Sequence, residues 1–405
     1  MKVVQINGGV FGSTGRIMFG IAKNAKIKDI EIKCFSPVTT TNRNKEPNFP
    51  YEKIGTFRSR QANTLFDRIT GYNGCSSYFA TKKLLFQITK FHPDILHFHN
   101  LHNSYVNLSM LFNYIKQKHI PVIWTLHDCW AFTGHCPYFT MAKCEKWKTG
   151  CYRCPQYKDY PKSLFDNSKK MYRLKKKWFT GVENMTIVTP SQWLADLVKQ
   201  SFLKDYPVKV IHNGIDLNVF KPTPSDFKVK YNIPESKHIL LGVAFGWGKR
   251  KGLDVFIELA KRLDYNKYQI VLVGTDDKTD KQLPAEIISI HRTQNQQELA
   301  EIYTAADLFV NPTREENYPT VNMEAIACGT PVITFRTGGS PEIITDETGV
   351  VVDCDDIDAM QKEIERICET KLFAKENCLN QAKLFDMNDR FQEYVNLYKE
   401  VIKLY

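Results

Sequence analysis

Long hydrophobic runs are missing from this chain of 405 residues. No stretch approaches the ~18 apolar residues of a membrane-spanning helix. The N-terminus, MKVVQINGG, holds no apolar segment long enough for a secretory signal and runs straight into a strand pattern. Repeats at solenoid periods and low-complexity tracts are lacking too, which excludes stacked-repeat and disordered architectures. With no export signal, the eleven cysteines are expected in a reducing cytoplasm, where thiols persist or bind metal.

What is present fits a soluble globular protein, 43% hydrophobic and 24% charged. The length exceeds one ordinary core and implies two domains. Lys and Arg outnumber Asp and Glu by 55 to 44, an excess of +11. That excess suits nucleotides, an anionic membrane surface or nucleic acid.

Short β-branched runs alternate with amphipathic stretches. VVQI (3–6), DILHFHN (94–100), PVIWTLHD (121–128), MTIVTPS (185–191) and VKVIHNG (208–214) read as buried parallel strands. HILLGVAFG (238–246), YQIVLVG (268–274), DLFVNPT (307–313), PVITF (331–335) and GVVVD (349–353) form a second series. Helical patterns lie between them, as in 253–263 and 296–306, and the pattern predicts two α/β, doubly wound domains. The expected division is 1–216 and 217–389, with the turn NGIDLNVFKPTPSD (213–226) as linker and a final amphipathic helix over 390–405 packing back on the first domain.

In open parallel sheets ligands bind beyond the carboxyl ends of the strands, and several polar stretches stand there. NYPTVNMEAIACG reads as a helix from Pro319 to Gly329, preceded by Glu316 in a turn and carrying Glu324. A carboxylate there can accept hydrogen bonds from sugar hydroxyls; it can equally favour a helix N-terminus. FGWGKRKGLD (245–254) places three cations in a Gly-flanked turn, suited to a diphosphate or simply solvated. NGGVFGSTGRI (7–17) lacks GxGxxG spacing, so a dinucleotide reading is weak, yet its backbone allows close approach of a substrate. His127 ends a hydrophobic strand, where it can hydrogen-bond a sugar or serve structure. HFHNLHN (97–103) puts His97 and His99 on one strand face without a clear third metal ligand, which favours packing and substrate contacts.

In GHCPYFTMAKCEKWKTGCYRCP (134–155), Cys136, Cys144, Cys151 and Cys154 are seven, six and two residues apart. Four thiolates complete a structural zinc site, and the loop looks too polar to fold around anything else. Disulfides or free thiols are the other readings. SKKMYRLKKKWF (168–179) interleaves cations with Met171, Tyr172, Leu174 and Trp178, as an interfacial helix does, or as a solvated helix face does.

IHNGID (211–216), KRKGLD (249–254), AADLFVNPT (305–313), the pair Glu316 and Glu324, EAIACGTPVI (324–333) and GGSPEI (338–343) occur in one order. In that order they resemble the retaining nucleotide-sugar glycosyltransferases of family 4, and the likeness covers nearly the whole chain. TLHDCWAFTGHC and the cysteines after it resemble a subgroup of bacterial capsule and exopolysaccharide synthesis. The resemblance implies a GT-B fold, two Rossmann-like domains facing across a cleft, and a UDP- or GDP-sugar donor. It implies a glycan or lipid-linked glycan acceptor, a cytoplasmic enzyme at the inner face of the membrane, and catalysis without a metal.

By the same resemblance Glu316 contacts the donor sugar and Glu324 the ribose, while Lys251 binds the diphosphate. Asn317, Tyr318, Pro319 and Thr320 belong to the donor site with them. The family's Arg five residues before this Lys is replaced by Gly246, leaving Arg250 or Lys249 to substitute. His127 lies beside the donor sugar, and Gly12, Ser13, Thr14 and Gly15 lie near phosphate and acceptor. His291 and Arg292 flank the base. Two other readings stand beside it: a sugar-nucleotide epimerase of the same fold, and a Cys-rich basic protein that binds nucleic acid. Against the second, the cations gather on no recognised nucleic-acid motif.

Overall fold

The structure is a computed structural model that describes residues 1–403. It divides into two compact units, one of Met1–His212 with the chain from Asn388 onward, the other of Asn213–Met387.

In the first unit, buried apolar runs form β1 (Lys2–Ile6), β2 (Glu31–Pro37), β3 (Glu52–Ile54), β4 (Ile95–Phe98), β5 (Val122–Thr125), β6 (Met185–Thr189) and β7 (Val208–Val210). They make one parallel sheet in the order β3-β2-β1-β4-β5-β6-β7. The second unit holds β8 (His238–Val243), β9 (Tyr268–Val273), β10 (Ile288–Ile290), β11 (Leu308–Asn311), β12 (Val332–Phe335) and β13 (Gly349–Val352). Their order is β10-β9-β8-β11-β12-β13, again all parallel. Val4, Ile6, Leu96, Phe98 and Trp124 fill the first core, and Leu241, Val271, Phe309 and Met323 the second. Ten of the thirteen strands follow the sequence expectation. The strands it misses are β2, β3 and β10; β3 and β10 are three-residue sheet edges, and β2 begins exposed, so none carries a continuous apolar run.

Three expectations need correction. The segment 213–226 is no free linker. Ile215 and Phe220 are buried in the second core, and the Ile215 amide donates to the Phe385 carbonyl at 2.8 Å. Its Gly and Pro residues shape a folded turn around those apolar anchors.

Helix Ser168–Phe179 cannot lay its aromatic face on a membrane, because Met171, Tyr172 and Trp178 are buried in the first core. Lys175 is buried too. Its Nζ donates to the carbonyls of Trp130 (2.6 Å) and Thr133 (3.1 Å) and lies 3.4 Å from the Trp130 ring centroid. Desolvation pushes its ammonium down to about 7. Only Lys169, Lys170, Arg173, Lys176 and Lys177 of this helix face solvent.

The cysteine loop does have something to fold around. Trp147 is buried between Phe132 and Phe139, with ring centroids 5.3 and 4.9 Å away.

The closing helix spans Met387–Lys403, so the expected residues 404 and 405 lie outside the described ones. Tyr398 on this helix approaches His97 Nδ1 at 2.6 Å, which fastens it to β4 of the first unit. Among the described residues no helix is long and apolar enough to cross a membrane.

Candidate functional site

In the second unit the loop after β8 forms a single helical turn at Lys249–Lys251, and the loop after β11 carries Thr313–Glu316. These loops meet. Lys251 Nζ lies 2.5 Å from Glu316 Oε2, with side chains 22% and 19% exposed, so solvent screens the pair only in part. Arg250 Nη1 donates to the Glu315 carbonyl at 3.4 Å.

Arg314, which sequence reasoning did not single out, staples the two loops. Its amide donates to the Arg250 carbonyl at 2.9 Å, and Nη1 to the Lys249 carbonyl at 2.5 Å. Its guanidinium grips Asp254 through two bonds of 2.7 and 2.9 Å and Asp355 at 2.6 Å. These charge-assisted bonds hold the guanidinium pKa above its ordinary value against partial burial. The only sequence signal was an Arg beside the acidic pair.

Two glycines permit the same approach. At Gly338 (φ +56°) a Cβ would stand 1.8 Å from the Glu316 carbonyl oxygen, and at Gly252 (φ +76°) 2.4 Å from that of Pro312. GGSPE and KRKGLD therefore need glycine so that their backbones can close on the Glu316 loop.

Helix Thr320–Ala327 starts after Pro319 and has no acid in its first turn. Glu316 precedes it and Glu324 lies in its second turn, so neither carboxylate serves as its cap. Glu324 is buried and accepts from Tyr303 Oη at 3.2 Å, while burial and that charge drive the phenol well above its usual range. Asn317 and Tyr318 are buried in the same stretch, and the Asn317 carbonyl accepts from the Gly339 amide at 2.7 Å.

His291, after β10, is exposed and sits 2.6 Å from Asp280 Oδ2, which raises the imidazole pKa. Arg292 beside it is exposed. Among the described residues Asp277, Asp280 and His291 are the one group whose ligand atoms lie within 4.8 Å of one another. Asp280 and His291 already hydrogen-bond each other, and Asp277 lies 3.9 Å from the same ring in open solvent.

The first unit presents a separate group at its strand ends. His127 Nε2 faces His99 Nδ1 at 3.1 Å, and His99 Nε2 faces Gln5 Oε1 at 3.0 Å. Burial holds His127 down to about 4 and His97 to about 3, so both are neutral imidazoles at pH 7. His97 bonds Tyr398 and Thr125 (2.8 Å), a packing role. The helix Gly12–Ile27 opens at the glycine loop, where Thr14 Oγ1 accepts from Asn7 Nδ2 at 3.2 Å. Ser13 at its exposed start and Gly15, tight against Val10, complete that turn.

Cys136, Cys144, Cys151 and Cys154 line one small cavity of about 10 Å³ with Phe139 and Trp147. Cys136 hydrogen-bonds to Cys154, which raises the pKa of Cys136 and lowers that of Cys154. The Gly134 amide donates to Cys151 Sγ at 3.1 Å.

Two parallel Rossmann-like sheets, with glycine-bearing charged loops at their strand ends, define a GT-B-type α/β protein. Residues 43–219 match the family described as Glycosyltransferase Family 4, and residues 225–384 match Glycosyl transferases group 1. With both halves matched, the chain belongs to these glycosyltransferases. It is 24% identical over 320 residues to WcaC of Escherichia coli, which carries the name of a colanic acid biosynthesis glycosyl transferase (76% of this chain, 77% of that one). It is 24% identical over 347 residues to an uncharacterized 41.2 kDa protein in the cps region of Klebsiella pneumoniae (83% and 87% covered). Anabaena HepE, solved in complex with UDP-glucose, shares the fold at a TM-score of 0.67 and 13% identity (99% and 100% covered). Neither the epimerase nor the nucleic-acid reading finds support among these matches.

Proposed function

We propose that this glycosyltransferase moves a sugar, with retention at the anomeric carbon, from a UDP- or GDP-sugar to a glycan acceptor in bacterial surface polysaccharide synthesis. The observation that carries the reading is the Lys251–Glu316 pair at 2.5 Å, stapled by Arg314 and closed over by Gly338. One anion and one cation, partly shielded and held on two loops, match the hydroxyls and the diphosphate of one donor. As the sugar–phosphate bond breaks, negative charge grows on the leaving diphosphate. Lys251, with Arg250 or Lys249 in place of the family's arginine, counters that charge. Glu316 holds the sugar hydroxyls, Glu324 the ribose, and His291 and Arg292 flank the base. Asn317, Tyr318, Pro319 and Thr320 line the donor, with the helix start facing its phosphates. On the other unit, neutral His127 accepts or donates a hydrogen bond at the donor sugar, and residues 12–15 lie near phosphate and acceptor.

The names of the relatives from colanic acid and cps regions support a surface-polysaccharide acceptor, which we take to be lipid-linked and met at the inner face of the cytoplasmic membrane. Thermal stabilisation by a panel of UDP- and GDP-sugars identifies the donor. Release of nucleoside diphosphate that requires both donor and glycan acceptor then tests the reading, and a protein that neither binds nor cleaves any such donor refutes it.

We also propose that the four cysteines hold a structural zinc. Four thiols share one wall of a small cavity, one pair is already in contact, and a backbone amide supports Cys151. Ligation requires Cys144 and Cys151 to close on that pair. A site of four thiolates leaves no open position, so the metal would brace the loop that follows His127.

A further inference from the structure

The first unit contains a second, larger cavity, of about 280 Å³, which the donor reading leaves unused. Its size is near the ~300 Å³ lower end of small-molecule sites. Arg60, Arg68 and Lys162 line it, and none forms a salt bridge with a described residue. Arg60 is half-buried, and its Nε is shut off from solvent with no hydrogen-bond partner. Two more polar atoms on the same wall are buried and unpartnered, Trp130 Nε1 and Asn73 Oδ1. A half-buried guanidinium without a carboxylate partner is uncommon in a native protein.

Two acids, Asp67 and Asp159, also line the wall, and neither forms a salt bridge with these cations. Asp67 is occupied by Ser104 (2.5 Å), Asn73 (3.1 Å) and Ser76 (3.4 Å), and burial raises its carboxyl to about 7. Three cations without an ion-pair partner among the described residues favour a ligand that offers anionic oxygen. The cavity also borders the candidate site within its own unit. His102 lines it and bonds Asp128, the neighbour of His127, at 3.1 Å.

We propose that this cavity binds an acceptor-glycan sugar bearing a carboxylate or phosphate, with the Arg60 guanidinium on the anionic group. Calling the ligand the acceptor rests on the transferase reading; its chemistry rests on the cavity. Shape alone would accept a neutral sugar, but the unpaired guanidinium sets the preference.

The test is titration of the full chain with glucuronic acid, glucose 6-phosphate and glucose, followed by ligand-observed NMR or calorimetry. At least one anionic sugar should bind about tenfold more tightly than glucose, and the better of the two identifies carboxylate or phosphate. Arg60→Ala, which breaks no internal hydrogen bond or ion pair, should abolish that preference. Lys251→Ala, on the other unit, should leave these affinities unchanged, which separates this cavity from the donor's diphosphate site. Binding of glucose equal to that of both anionic sugars, no binding of any of the three, or an anion preference that survives Arg60→Ala overturns the proposal. Nucleoside diphosphate binding, measured in the same samples, tests the transferase reading independently, since Arg60→Ala should not alter it.

Discussion

Glu316→Gln separates a carboxylate that acts on substrate from one that only shapes a turn. Gln keeps the size of the side chain and can still accept from Lys251, so the structural loss is confined to one ion pair. With the side chains 22% and 19% exposed, that pair is worth about 1 kcal/mol, between a free surface pair and a dry one. A loss of that size lowers Tm by a few degrees. Losing a charged hydrogen bond to the reacting sugar costs about 2–3 kcal/mol or more in the barrier, hence at least a ~30-fold fall in kcat. The assay is nucleoside diphosphate release at saturating donor and acceptor, alongside thermal unfolding of the same samples. Lys251→Ala should weaken nucleoside diphosphate affinity and slow transfer. The double variant should be less impaired than the sum of the two, because each single change strands the partner charge. Near wild-type transfer by a folded Glu316→Gln protein would refute the assignment of the donor sugar to this carboxylate.

Three further outcomes follow from the same contacts. Gly338→Ala should cut transfer by tenfold or more with the fold kept, since its Cβ would displace the Glu316 carbonyl, now 1.8 Å from that position; unchanged kinetics would show that the Glu316 loop tolerates movement. Protein purified without chelator should carry about one zinc per chain, and Cys151→Ser should lose it and loosen the loop; metal-free protein with four freely titrating thiols and full activity would end the zinc proposal. Folding stability should fall as pH drops from about 6.5 towards 3, because the unfolded chain protonates His97 while burial keeps it neutral in the fold down to about 3. This slope is worth up to ~1.4 kcal/mol per pH unit for one histidine. Asp67, raised to about 7, works in the opposite direction between about 4 and 7, so the contribution of His97 is the change of slope in His97→Gln under urea unfolding. An unaltered slope would mean that His97 titrates normally in the folded protein.

The sequence by itself determined the strand–helix alternation, most strands of both sheets and the order of the glycine- and charge-bearing loops. A parallel strand covered on both faces must be a continuous apolar run, and the loop after it must turn sharply, so both leave local signals. The loops that carry Lys251 and Glu316 were legible for that reason. The tertiary structure decided what depends on partners far along the chain. Arg314 reaches Asp254 across 60 positions, and no local pattern distinguishes it from the arginines around it. The amphipathic helix 168–179 looked fit for a membrane until the first core took Met171, Tyr172 and Trp178. The turn at 213–226 was polar enough to be a linker, yet two apolar anchors sufficed to fold it into the second unit. The cavity around Arg60 was invisible in the sequence, because an unpaired guanidinium is defined by what fails to come near it, and only the packed chain settles that.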